Sequence, residues 1–572
     1  MTAIKAYANS DHAYVVWQLD ARVPDCRGFA LHRRMSGHGD DVLDSWVGFA
    51  GDTAPPGTKK PSTEWPIQKF MWSDYDVQFG KKVSYRAVPM IGTTKDALHE
   101  DDAHATDWSE PVTAGASVGR GMHAYFNRGI VATQWLARQL KELGGAPGTA
   151  LQQIISTPGN RVRNFLGGAI IRELTRLLEQ VKADGTEVYA ALYELDDPEL
   201  LDALKALEGK ANVVLANGAD LPDENKASRQ ELKDAGVNVV DRLVSSRHFA
   251  HNKYLVLCDQ AGAPRAVWTG STNWTKTGLC TQANNALLIE DATIASWYRS
   301  DWDALEAAGS SYPTELLDTD DQPHSEGGSS TSHHVWFAPV RDLVDLEDAR
   351  ARINDAREGI VFLMFNPGPT GTLLNDIVER TATASPTYDP DLYIHGVLNQ
   401  DPSTEKQPII GLFHRGTYTE ADIEVVLPAA IDTDFGFWIK ELEKLPRSHA
   451  MVHSKCIVLD PFGGRPVVMT GSHNMGPKAS AQNDENLVIV EGMPKLAAAY
   501  AVNIMGVYNQ YRWRDRQLQA TKEKAGHATV TAAAGAEPTW AGLQDGDAWQ
   551  NEYFKGSKAR ELRFWLGQDS AA

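Results

Sequence analysis

The chain has 572 residues, with 75 acidic against 55 basic side chains and a formal net charge of −20. That length suffices for about three domains with large cores, and the acid excess argues against unspecific clinging to nucleic acid while leaving room for a local basic cleft. No stretch approaches a membrane span, and residues 1–20 lack a basic segment followed by a long apolar core, so the cytoplasm is the expected compartment, with export by a route without a cleavable signal as the alternative.

Residues 1–115 alternate short strand-like runs with turn residues: Ala13-Tyr14-Val15-Val16-Trp17, Gly28-Phe29-Ala30-Leu31 and Val83-Ser84-Tyr85-Arg86-Ala87-Val88. This pattern predicts an all-β antiparallel sandwich. With Trp72-Ser73-Asp74 ahead of Tyr85 and a closing Ser109-Glu110-Pro111-Val112, the order resembles a fibronectin type III domain, a module that implies binding or spacing and hence a protein or surface partner.

From about 160 the periodicity changes to that of an α/β layer. Phe165, Leu166, Ile170, Leu174, Leu177, Leu178 and Val181 form a helical stripe ending near Gly185, and Val188-Tyr189-Ala190-Ala191-Leu192 follows as a strand. Asp197-Pro198 opens a helix, Val213-Val214-Leu215 is a strand, Ser228 and Glu231 read as a capping box, and Val237–Val240 returns as a strand. Residues 309–334, rich in Asp, Gly and Ser, read as a linker in which His333-His334 is solvated rather than metal-binding. A second α/β half runs over 335–515, with extra length between Glu379 and Phe435 and a helix opening at Pro494. In the tail, 516–572, an Ala- and Gly-rich run (Ala525–Pro538) precedes Trp540, Trp549, Phe554 and Trp565, which predict a segment docked on the body. Cys26, Cys258, Cys280 and Cys456 show no metal spacing and read as reduced core residues.

One pattern occurs twice. His251-Asn252-Lys253 precedes Gly270-Ser271-Thr272-Asn273, and His453-Ser454-Lys455 precedes Gly471-Ser472-His473-Asn474. Twelve residues after each loop Asn stands another Asn, 285 or 486, opening an apolar run that ends in Glu290 or Glu491. In an extended strand His and Lys two apart share a face, so each copy points an imidazole and an ammonium the same way. A Gly-Ser turn lets Asn273 or Asn474 and backbone donors converge on an anion.

This duplication resembles the His-x-Lys signature of the phospholipase D superfamily over roughly 120–515, with halves at 120–308 and 335–515. The resemblance implies two similar α/β halves after the N-terminal sandwich. It also implies a metal-independent phosphodiesterase without a cofactor: one His attacks phosphorus to give a phosphohistidine, the other protonates the departing oxygen, and Lys253, Lys455, Asn273 and Asn474 clamp the phosphate. Ser271 and Ser472 support the loops. Asp460 falls five residues after Lys455, where the family pattern has an acid; in the first copy that place holds Cys258, with Asp259 one residue late, as a bulge would explain.

Eleven residues after the loop Asn stand Asn284 and Glu485, where the family carries an acid or amide that orients a His. A carboxylate raises an imidazole pKa from about 6.5 and an amide does not. With each pairing inside its own copy, His453 becomes the acid and His251 the nucleophile. A phospholipid substrate is favoured; Trp274 and Met475, next to the loop asparagines, are candidates to meet an acyl chain, with core as the favoured reading of both. A nuclease of the same superfamily and a non-catalytic binding protein on this scaffold are the alternatives.

Overall fold

Four groups of strands carry the architecture, and the computed structural model describes them within residues 2–49, 52, 58–129, 147–218, 223–245, 247–319, 322–399, 423–426, 452–524, 542–555 and 557–568. The N-terminal region holds β1 (Ala3–Ala8), β2 (Ala13–Gln18), β3 (Cys26–Met35), β4 (Asp40–Val42), β5 (Asp44–Ser45), β6 (Lys60–Pro61), β7 (Met71–Asp74), β8 (Lys82–Ile91), β9 (His99–Glu100) and β10 (Val112–Thr113). They form an antiparallel sheet β1-β2-β7, a second of order β10-β8-β3-β4 with β9 on β8, and the pair β5-β6. Trp17 of the first sheet meets Phe29 of the second edge to face, with ring centroids 5.3 Å apart.

The first α/β half comprises β11 (Ser117–Gly119), β12 (Met122–Phe126), β13 (Val188–Leu192), β14 (Ala211–Ala216), β15 (Asn238–Arg242), β16 (Lys253–Cys258), β17 (Pro264–Gly270) and β18 (Asn285–Ile289). The second comprises β19 (His324–Gly327), β20 (Ser332–Ala338), β21 (Gly359–Met364), β22 (Tyr393–Leu398), β23 (Ile423–Val426), β24 (Cys456–Leu459), β25 (Val467–Gly471) and β26 (Glu485–Glu491). Their sheets run β11-β12-β18-β17-β16-β13-β14-β15 and β19-β20-β26-β25-β24-β21-β22-β23, the same order strand for strand. In each, the last three strands pair in parallel and the rest antiparallel. Strands β16, β18, β21, β24 and β26 are buried along their whole length, as a sheet covered on both faces requires.

Local signals mostly hold. The stripe of Leu166 to Val181 lies on the helix Arg161–Asp184, which Gly185 ends in the left-handed region, and Asp197 caps the helix Pro198–Lys205 through the Leu200 N–H. The Ser228/Glu231 capping box is corrected: the helix spans Lys226–Asp234, Asn225 precedes it, and the Ser228 hydroxyl donates to the Leu195 carbonyl instead. Asn225 is drawn away from capping because its amide donates to the carbonyls of Tyr193 and Ala216. The linker reading of 309–334 is also corrected, since it contributes a helix (Thr314–Thr319), β19 and the start of β20, placing His333 and His334 on a sheet strand. Its polarity reflects an edge strand whose side chains are mostly exposed and whose pairing is made by the backbone.

In the C-terminal segment Trp549 packs on Phe29 and Phe70, and Trp565 on Tyr14 and Phe462, so it clasps the N-terminal sheets to the second half. Trp540, the run Ala525–Pro538 and most of the extra length between Glu379 and Phe435 lie outside the described residues. Among the described residues no helix is long and apolar enough to cross a membrane.

The two halves are joined by matched polar contacts. Asn285 Nδ2 donates to Thr470 Oγ1 at 2.7 Å and to the Tyr500 hydroxyl at 3.1 Å. Asn486 Oδ1 accepts from Thr269 Oγ1 at 2.7 Å and from the Tyr298 hydroxyl at 3.2 Å. Tyr298 and Tyr500 come from the helices Ala292–Ala308 and Pro494–Lys524 that follow the last strand of each half. All these groups are buried, so each depends on its partner. Replacing Asn285→Ala is therefore expected to cost about 1–3 kcal/mol, read as a lowered urea midpoint; an unchanged midpoint would contradict the interlock.

Candidate active site

The segments entering each His cross to the opposite half. Ala250 bridges to Asp484, with the His251 N–H on the Asp484 carbonyl at 2.9 Å, and Ala283 bridges to Val452, with the His453 N–H on the Ala283 carbonyl at 2.9 Å. Asp484 is itself pinned by the buried Arg242 guanidinium and by His248 Nε2 at 2.7 Å. The two copies thus form one site around a pseudo-twofold relation.

Their side chains cross as well. His251 Nδ1 donates to Glu485 Oε2 at 2.8 Å, while His453 Nδ1 lies 3.0 Å from both Asn284 Oδ1 and the Ser271 carbonyl. The expectation that each pairing stays inside its own copy is therefore corrected. The bridges bring residue 484 beside 250 and residue 283 beside 452, so the next residue along each strand can reach only the imidazole of the other half. Asn284 is oriented by its Nδ2 bond to the Gly278 carbonyl at 2.8 Å and also takes the Ser271 hydroxyl at 2.7 Å. With only acceptors at Nδ1, both neutral imidazoles carry their proton there and keep the lone pair on Nε2.

Burial sets the charges. It pushes the His251 pKa down to about 4, with Glu485 opposing and Lys253 and Lys455 assisting. His453 is pushed well below its ordinary value by burial and then by Lys455, Lys253 and His251, with the Ser271 carbonyl opposing. Lys253 falls to about 7 and Lys455 well below its ordinary value, both chiefly from burial. Burial pulls Glu485 upward, but His251, His473 and Lys253 outweigh it and hold the carboxylate low. Four basic groups share one buried space, an arrangement that an incoming anion relieves.

The lysines repeat the symmetry. Lys253 Nζ donates to the His251 carbonyl at 2.6 Å and sits 4.8 Å from the Tyr193 ring; Lys455 Nζ donates to the His453 carbonyl at 2.8 Å, lies 3.2 Å from His453 Nε2, and sits 4.8 Å from the Phe365 ring. Tyr193 and Phe365 follow β13 and β21 and also lean on the imidazoles, at 4.6 and 4.7 Å.

The loop residues take distinct places. Asn273 Nδ2 donates to Glu194 Oε2 at 2.7 Å, and Asn474 is half-buried. Ser271 and Ser472 accept the N–H of Asn285 and Asn486, at 3.1 and 2.9 Å, which ties each loop to the next strand. Asp259 and Asp460 lie at the far ends of their strands, roughly 25 Å from the imidazoles by strand rise. There Asp259 accepts the N–H groups of Ala261 and Ala263, and Asp460 those of Arg357, Glu358 and Gly359. The residue expected to be inserted in the first His-x-Lys strand is corrected: the register shifts between Leu257 and Cys258, but the extra residue is Arg265 on β17 and not one on β16. Trp274 and Met475 are core residues, the favoured of their two readings, 0% and 1% exposed.

Sequence reasoning missed Tyr193, Phe365, Glu194 and the buried His473–Asp345 contact (3.0 Å) that braces the second loop. The aromatics precede their His by unequal intervals, so the repeat does not reveal them. Asp345, far earlier in the chain, carries no local signal.

The depressed His251 pKa makes a pH prediction. Between 6.5 and about 4 the unfolded chain binds the imidazole proton and the folded chain does not, so this group's share of stability is present above pH 6.5 and is lost as pH falls toward 4. His251→Gln, which still offers Glu485 a donor, is expected to lose less stability than the parent between pH 7 and 5 in urea unfolding. Equal losses would show that the imidazole is not held neutral.

No curated relative matches the chain in sequence. Among solved structures it is similar to phosphatidylserine synthase of Haemophilus influenzae Rd KW20, at 12% identity over 62% of this chain and 91% of that one, with a TM-score of 0.40. It is also similar to polyphosphate kinase of Porphyromonas gingivalis (13%, 70% and 51%, TM-score 0.37) and to Nuc, a phospholipase D family member of Salmonella typhimurium (19%, 26% and 91%, TM-score 0.22). Residues 176–305 and 430–505 match the family model described as the phospholipase D-like domain of cardiolipin synthase, and each matched stretch holds one His-x-Lys and one Gly-Ser-x-Asn. These two stretches are similar to the phospholipase D superfamily.

Proposed function

We propose that the protein is a metal-independent phosphodiesterase that works through a phosphohistidine on His251. The observation that carries this reading is the single buried site in which two His-Lys pairs meet and each imidazole is anchored at Nδ1 by the opposite half. Nucleophile, acid and anion clamp are then all side chains.

The crossed pairing supports His251 as nucleophile for a different reason from the one expected. Glu485 makes the His251 ring electron-rich and stabilises the positive charge that develops when Nε2 bonds to phosphorus. In the first step that bond forms, the bond from phosphorus to the leaving oxygen breaks, and His453, which takes up a solvent proton at Nε2 when the bound anion offsets the depression of its pKa, gives that proton to the oxygen. Burial and the neighbouring lysines keep His453 neutral until the anion binds and make it a strong acid once protonated. In the second step water or an alcohol yields its proton to His453 and attacks phosphorus, the P–N bond breaks, and His251 is restored. Lys253, Lys455, Asn273 and Asn474 hold the non-bridging oxygens throughout.

For substrate, phospholipid is favoured by the cardiolipin synthase description of the matched family model. The strand order β1-β2-β7 and β10-β8-β3-β4 supports a fibronectin type III-like sandwich at 1–115 that binds or spaces.

Turnover of bis(p-nitrophenyl) phosphate in EDTA is expected, and a requirement for added divalent ion would overturn the metal-independent reading. Head-group release from phosphatidylcholine vesicles without cleavage of single-stranded DNA is the expected substrate result; the reverse would make the protein a nuclease, and no turnover at all would leave a binding protein. His453→Ala should slow substrates with poor leaving groups by about 10²–10⁴-fold and those with good ones far less, whereas His251→Ala should abolish both. Phosphate mapped to His453 by mass spectrometry would reverse the roles.

A further inference from the structure

The half-sites match aromatic for aromatic but differ in the next residue. Tyr193 is followed by Glu194 and Phe365 by the exposed Asn366, and only Glu194 is tied to the site, through Asn273. Glu194 is fixed there twice over: its Oε2 accepts from Asn273 Nδ2 at 2.7 Å, and its carbonyl accepts the Trp274 N–H at 3.2 Å. It therefore moves with the Gly-Ser-x-Asn loop. Its charge reaches across the whole clamp, raising the proton affinity of both Lys253 and Lys455. The other carboxylate of the site, Glu485, is committed to His251 and Asn483.

We infer that Glu194 sets the ligand charge the site accepts, favouring a singly charged phosphodiester over a doubly charged phosphomonoester or inorganic phosphate. The inference rests on the phosphodiesterase reading and deepens it. Repulsion between a fixed carboxylate and a bound anion grows in proportion to the anion's charge, and at a half-buried group such as Glu194 it is only partly screened. Lys253 and Lys455 attract both classes of ligand, so Glu194 adds discrimination where the lysines add affinity. Hydrolysis of a diester turns one negative charge into nearly two once the second proton leaves, near pH 6, and the same carboxylate then helps expel the product.

The test is calorimetric binding of methyl phosphate and dimethyl phosphate to the full chain, as the parent, Glu194→Gln and Glu194→Asp, at pH 8 and pH 5. In Glu194→Gln methyl phosphate should tighten relative to dimethyl phosphate by about tenfold at pH 8 and by much less at pH 5, where it carries a single charge. Glu194→Asp should keep the parental ratio. Dimethyl phosphate has one charge at both pH values, so its own affinity reports any loss of charge on the lysines or histidines, a loss that would weaken methyl phosphate more and so oppose the expected tightening. An unchanged ratio at pH 8, or equal weakening of both ligands as expected of a mere brace for Asn273, overturns the role of Glu194 and leaves the phosphodiesterase reading standing. A parent that binds neither ligand overturns that reading and this inference together.

Discussion

The backbone bridges between residues 250 and 484 and between 283 and 452 are the contacts on which the site depends. Each bridge carries the strand entering a His past the start of the opposite half's last strand, so Glu485 and Asn284 reach the imidazole of the other half. The buried Arg242–Asp484–His248 cluster holds the first crossing in place. Removing one member of such a buried ion pair typically costs about 3–5 kcal/mol, because the other charge is left without compensation. Neither half could build this site alone, since each lacks the group that orients its own His.

The crossing also explains how near-identical halves acquire different chemistry. Two-fold repetition alone would give equal imidazoles. Glu485 and Asn284 break that equality at Nδ1, and Glu194, bonded to Asn273, breaks it again in the first half. Burial keeps both imidazoles neutral and lowers both lysines, so the unliganded site holds its positive charge in check. Under the proposed phosphodiesterase reading, such a site is arranged before the anion arrives and needs little reorganisation when charge develops on phosphorus.

Much of this was legible because both levels of structure have short periods. Alternation and stripe placed most of the first half's elements, and Asp197-Pro198 and Gly185 marked real helix ends. Signals failed where a residue's partner lay elsewhere in the chain. Ser228 looked like a cap but serves the Leu195 carbonyl, and the polar stretch 309–334 looked like a linker because an edge strand keeps polar side chains outward. Trp274 and Met475 adjoin the loop asparagines in sequence yet point into the core.

By itself the sequence determined the inventory of the site: His251, Lys253, Asn273 and their partners His453, Lys455 and Asn474, because His-x-Lys on a strand and Asn in a Gly-Ser turn are local constraints with fixed spacing. Only the tertiary structure decided which carboxylate or amide serves which imidazole, which aromatic covers which lysine, and that Asp259 and Asp460 belong to turns. Those relations join residues up to hundreds of positions apart, and they arise from how two sheets meet rather than from any repeat along the chain.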